Sequence, residues 1–203
     1  MKKFTNILRA ITAAMLLFCF GVLVADKQTL RTEIIRMHVI ANSDSIEDQS
    51  AKLAVRDAVM KYLKENLKDI GNISVVHQLI GNALDSLEEI ANATLMALGS
   101  DDSASVSFTQ EKVGKRVYDT FSLPAGVYKS LRIQIGTGEG KNWWCVVFPA
   151  FCVPTTTETF QSTAVSSGFD RGLVGALSND GAYKLRFFLL ECIGRIENFL
   201  INS

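Results

Sequence analysis

Two histidines and four cysteines are thin material for a metal centre in a chain of 203 residues. No cysteine or carboxylate falls near either histidine at ligand spacing, which argues against zinc. No Gly-x-Ser-x-Gly elbow, P-loop or paired-cysteine redox motif occurs, so the common nucleophile and nucleotide signatures are missing too. Gly136-Thr137-Gly138-Glu139-Gly140 superficially resembles a phosphate loop, but it joins two predicted strands and opens no helix, so it lacks the dipole of an anion site. A charge excess is also absent: 21 basic residues balance 21 acidic ones. Lys2, Lys3 and Arg9 carry all the charge before residue 26, and without them the balance is 18 minus 21, or −3. That disfavours nucleic acid or an anionic membrane surface as the main partner. There is no internal repeat, and nothing calls for a cofactor, a metal or a catalytic residue.

The chain does have one long uncharged run, Ala10 to Ala25, preceded by those three bases and followed at once by Asp26. A positive n-region and an apolar h-region read as an export signal. Ala25 suits the last signal position, although Leu23 is larger than the small-residue rule prefers. The run is shorter than the roughly 20 residues of a comfortable span. Residues 1–25 are therefore expected to be a signal peptide, with an uncleaved anchor as the alternative, and 26–203 one domain with a sizeable core.

Period-2 alternation over Glu33–Ala41 predicts a strand with one face inward. Asn42-Ser43-Asp44-Ser45 breaks it. Asp44 with Glu47, or Ser45 with Asp48, makes a capping-box start for a helix from Ile46 to Ile70. Lys52 and Arg56 intrude on that helix's apolar face, and Arg56 suggests a buried or half-buried ion pair of architectural use. A second helix from Ser74, carrying Val76, Ile80, Leu84, Leu87 and Ala91, should be its antiparallel neighbour. Strands are predicted at 104–110, 116–121, 130–136 and 143–148. Ser, Thr and Gly make up nine of the fourteen residues Thr155–Gly168, which predicts a flexible insertion within 154–181. Leu185, Phe188, Leu189, Cys192, Ile193, Ile196, Phe199 and Leu200 share one side of a C-terminal helix, with Arg186, Glu191, Arg195 and Glu197 opposite. The order of elements indicates an α+β domain with a mainly antiparallel sheet, a helical pair and a C-terminal helix.

The segment Asn142-Trp143-Trp144-Cys145-Val146-Val147-Phe148 is apolar on both faces, so it should lie inside the sheet, with Trp143 and Trp144 as structural residues. A reversal at Pro149-Ala150 could bring Cys145 and Cys152 within disulfide range. In an exported protein that leaves Cys192 as a buried thiol. His38 shares a strand face with Arg36, and Asp44 follows just beyond, so an exported hydrolase centred on His38 and Asp44 is one reading. A structural histidine is the plainer one. His77 reads as surface.

Three blocks coincide in order: Arg36-Met37-His38-Val39-Ile40-Ala41-Asn42-Ser43-Asp44-Ser45 continuing to Asp57, Tyr128-Lys129-Ser130-Leu131-Arg132-Ile133 running into Gly138-Glu139-Gly140, and Asn142-Trp143-Trp144-Cys145 through Cys152. Together they resemble the stage II sporulation protein R family of endospore-forming Firmicutes. The resemblance implies a non-enzymatic signalling protein exported into the space between forespore and mother-cell membranes. There it would trigger a membrane-embedded aspartic protease of the mother cell to process a sigma-factor precursor. Membrane contact would come only through residues 1–25 if these are uncleaved. The partner surface is expected at the strand end, on His38, Asn42, Ser43 and Asp44.

Overall fold

The computed structural model describes residues 2–67, 70–118, 121–148, 164–166, 169–178 and 184–200. In chain order the elements are α1 (Lys2–Glu33), β1 (Ile35–Ile40), α2 (Ile46–Asn66), α3 (Ile73–Asn82), α4 (Leu84–Ala97), β2 (Ala104–Val113), β3 (Arg116–Val117), β4 (Ser122–Leu123), β5 (Gly126–Ile135), β6 (Asn142–Phe148), α5 (Arg171–Leu177) and α6 (Lys184–Leu200). The main sheet has the order β2-β5-β1-β6, with β1 parallel to β5 and the other two pairings antiparallel; β3 and β4 pair separately. This is an α+β fold with a mixed, mainly antiparallel sheet.

Pleat parity divides the core in two. Ile35, Met37, Val39, Leu131, Ile133, Ile135, Cys145 and Val147 face α2, α3 and α4. The opposite face meets Leu30 and Ile34 at the end of α1, Leu173, Val174 and Leu177 of α5, and Leu190 of α6. Helices therefore cover both faces. That explains two departures from expectation: β1 is buried on both sides rather than one, and β6 is apolar on both sides although it is the edge among the described strands.

Local signals set the helix ends. Ser45 caps α2, its Oγ accepting the Asp48 N–H at 3.0 Å, so the Ser45–Asp48 register prevails over Asp44–Glu47. A losing cap substitution here costs about 1 kcal/mol. Asn72 caps the next helix, which breaks at Ala83 to give α3 and α4 rather than one continuous partner for α2. The stretch expected to be a flexible insertion is partly core: Asp170 caps α5 by accepting the Leu173 N–H at 2.9 Å, and Leu173, Val174 and Leu177 are buried. Residues 154–163 lie outside the described residues.

The C-terminal helix is the largest departure. Its apolar stripe does not face the core. Leu190, Glu191 and Gly194 do, with the Glu191 carboxylate accepting the Ala125 N–H at 2.6 Å. Arg186 grips Asp26 of α1 through two bonds of 2.6 and 2.7 Å, and Lys27 pairs with Glu197 at 2.8 Å.

Candidate interaction site

On the sheet face turned toward α6, register places His38 between Arg132 of β5 and Trp144 of β6. The imidazole stacks on the indole with centroids 4.3 Å apart and planes within 5°. Its Nε2 meets Glu111 Oε2 at 2.7 Å, and Arg132 lies 3.8 Å from the other oxygen of that carboxylate. His38 is 4% exposed. The acid at His38 is thus Glu111 from β2, not Asp44.

Two residues earlier on the same face, Arg36 is fully buried. Its guanidinium lies over the Tyr128 and Trp144 rings at 5.0 and 5.2 Å, and it donates to the Tyr118 hydroxyl at 3.2 Å. Cation–π contact of this kind contributes about 2 kcal/mol when desolvated. Burial pushes the Tyr128 phenol far above its ordinary range, so it stays a neutral donor, bonded to the Pro124 carbonyl at 2.6 Å. Among the described residues, Arg36 Nε and Nη1, Ser130 Oγ, His38 Nδ1 and Trp144 Nε1 are buried without a hydrogen-bond partner. Trp144 also carries Arg116 over its ring at 4.8 Å. The result is a cationic, aromatic patch rather than an acid–base–nucleophile array.

Asn42, Ser43 and Asp44 sit at the other end of β1 and do different work. They lace the α2 start to the β5–β6 loop, which is not a hairpin because β1 lies between the two strands. Asn42 Oδ1 accepts from the Thr137 N–H at 3.0 Å, Ser43 Oγ donates to Asp48 at 2.6 Å, and Asp44 Oδ1 accepts the Lys141 N–H at 2.8 Å. Gly136 turns the chain out of β5 at φ +54, and a Cβ there would fall 2.3 Å from Asn42 Oδ1. The close fit of the two loops needs glycine twice over. Buried Lys52 closes the lacing by donating to the Lys141 carbonyl at 3.0 Å. Asn42 and Ser43 are half-buried and Asp44 exposed.

The Lys141 N–H holds the Asp44 carboxyl below its usual value, and the charges of Lys141 and Lys52 lower it further. A depressed carboxylate contributes above its unfolded pKa and loses its contribution as pH falls through the folded one. The lacing of the two loops should therefore hold at neutral pH and loosen only below the ordinary carboxylate range. Amide exchange at Lys141 should accelerate there, and exchange that stays flat down to the acid unfolding transition would refute this.

Arg56 is half-buried over Trp143 at 4.8 Å and, among the described residues, pairs with its neighbour Asp57, which is exposed. Its role is cation–π packing rather than a buried ion pair. His77 is not plain surface: it is half-buried with its ring edge-on to Phe108, and burial lowers its pKa. Cys145 is disulfide-bonded, while Cys19 and Cys192 are free. Cys152 lies outside the described residues. The sequence offered no signal for Glu111, which lies 73 residues from His38. Only sheet order brings β2 within reach.

The family model described as stage II sporulation protein R matches residues 31–158, which contain the whole sheet and both polar constellations. The stage II sporulation protein R of Bacillus subtilis (strain 168) is 38% identical over 120 residues, covering 59% of this chain and 54% of that protein. The alignment thus spans about half the length of that curated relative. No solved structure matches. With more than half of its length matched by the family model, the chain belongs to the stage II sporulation protein R family.

Proposed function

We propose that this protein is an exported sporulation signal that binds and triggers a membrane-embedded aspartic protease, which then processes a sigma-factor precursor in the mother cell. Family membership supplies the sporulation role, and the apolar helix α1 suits an export signal. In this reading the protein acts in the space between forespore and mother-cell membranes and has no turnover of its own. The observation that carries the non-enzymatic part is the commitment of the polar groups. His38 Nε2 is held by Glu111, and Asp44 is held by Lys141, so neither is positioned as a general base with an adjacent nucleophile. The hydrolase centred on His38 and Asp44 has no geometric support.

The proposed contact surface is exposed Asp44, with half-buried Asn42 and Ser43 and the β5–β6 loop laced to them, while His38 lies beneath. Co-expression with the protease and the sigma precursor tests this. Wild-type protein should yield cleaved precursor, and Asp44→Lys should abolish cleavage with the protein still accumulating outside the cell. Purified protein should leave peptidoglycan, ester and peptide substrates intact. Hydrolysis lost on His38→Ala at unchanged melting temperature would sink the reading.

The bond at Cys145 is proposed to run to Cys152. Non-reducing peptide mass spectrometry should recover a 145–152 pair with Cys192 unmodified. Replacing both cysteines by serine should cost about 2 to 3 kcal/mol in the chain-entropy account of a short loop. Recovery of reduced Cys152 from exported protein would refute the pairing.

A further inference from the structure

An amphipathic helix normally buries its apolar stripe. In α6 the stripe faces out: Leu185, Phe188, Leu189, Ile196, Phe199 and Leu200 are all exposed, Phe188 by 59% and Phe199 by 71%. At 100° per residue these lie on the opposite side of the helix from Leu190 and Gly194, which face the sheet. The orientation is locked. Gly194 packs so closely on the backbone at Ala125 that a Cβ would lie 1.6 Å from its carbonyl oxygen. Glu191 bonds the Ala125 N–H, and Arg186 and Glu197 are tied to Asp26 and Lys27 of α1. Turning the helix over would break all of these and bury no less polar surface.

The neighbouring helix says what covers the stripe. From Phe4 to Val24 the large apolar side chains of α1 are exposed apart from half-buried Leu23, and this helix is long and apolar enough to cross a membrane. Its Phe18, Cys19, Val22 and Leu23 line one apolar groove with Leu185 and Leu189 of α6. Charge on α1 resumes at Asp26, which meets Arg186 in the first turn of α6, where exposed Lys184 also lies. From that level back toward Arg9, α1 presents hydrocarbon, as does the outward stripe of α6. We propose that the outward face of α6 is a lipid-contact surface, the helix lying along the interface of the bilayer that α1 enters. Apolar area on one side and fixed polar contacts on the other are what an interfacial helix requires. The inference depends on α1 being retained as a membrane segment and is independent of the protease reading.

Cys192 lies on the outward stripe and is a free thiol, which allows a direct test. The full chain with Cys19→Ser, spin-labelled at Cys192 and reconstituted into phosphatidylcholine vesicles, should collide severalfold more often with oxygen than with a water-soluble nickel chelate. A second label at Phe188→Cys in a Cys192→Ser background guards against perturbation at the half-buried native site. A label at Met96→Cys, exposed on α4, should show the reverse preference. Nickel collisions prevailing at both α6 sites would overturn the proposal. So would dipolar broadening between α6 labels, which would mean that a second copy of the chain covers the stripe.

Discussion

Alanine at Gly194 is expected to unseat α6 and to be the most damaging single methyl in the molecule. The new Cβ would meet the Ala125 carbonyl oxygen at 1.6 Å and its carbon at 2.5 Å. Both are backbone atoms of the segment leading into β5, so no side chain can swing aside. Overpacking ordinarily costs about 1 to 3 kcal/mol, and a backbone collision at a helix crossing belongs at or above the top of that range. The Glu191 bond to Ala125 and the ion pairs to α1 would be strained with it. Urea unfolding should show a fall in midpoint of that size. Gly81→Ala is the control, because it is helical and nothing lies within 4 Å of its added Cβ. There, relief of chain entropy should stabilise by about 0.4 to 1 kcal/mol. Equal, small effects at the two glycines would mean that α6 is not docked as described.

Removing His38 is expected to be the costliest change on the polar face of the sheet. His38→Ala deletes the stack on Trp144 and leaves the Glu111 carboxylate with Arg132 alone, at 3.8 Å. An aromatic pair contributes about 0.5 to 1.5 kcal/mol beyond burial, and a hydrogen bond to a charged group about 1.5 to 3, so a loss of roughly 3 kcal/mol is expected. His38→Phe keeps the stack and forfeits only the bond, and should recover about a third of the loss. Signalling should follow stability across the two variants, since a side chain 4% exposed acts by holding β1, β2 and β6 in place. Signalling lost in His38→Ala at unchanged stability would instead make the imidazole a direct partner contact.

The elements themselves were legible because their causes are local. Alternation over 104–110, the apolar run of 143–148, the Ser45–Asp48 cap, and the glycines of the β5–β6 loop each depend on neighbours within a few residues. Boundaries slipped where no such signal exists. The helix from Ile46 stops at Asn66 rather than Ile70, and the strand predicted over 116–121 is the two-residue β3, paired with the two-residue β4 beyond it. The polar site was half legible. Arg36 and His38 share a face by parity, and Trp144 was visible as a strand residue. That they stack could be known only once β6 was placed beside β1.

What the sequence by itself determined is the α+β class, the export-type N-terminus, the family through its His-Val-Ile-Ala-Asn-Ser-Asp and Asn-Trp-Trp-Cys blocks, and the periodicity of each helix and strand. Tertiary structure alone decided that His38 pairs with Glu111 and not Asp44, that Arg36 is buried between two aromatic rings, and that α6 shows its apolar side outward. The reason is the same in each case. A hydrophobic stripe or a buried charge records that a group must leave water or find a partner, but the partner is chosen by sheet order and close packing between segments far apart in the chain. For α6 the choice turned on a single missing side chain: only glycine at 194 lets the polar face approach the Ala125 backbone, and that contact points the leucines and phenylalanines the other way.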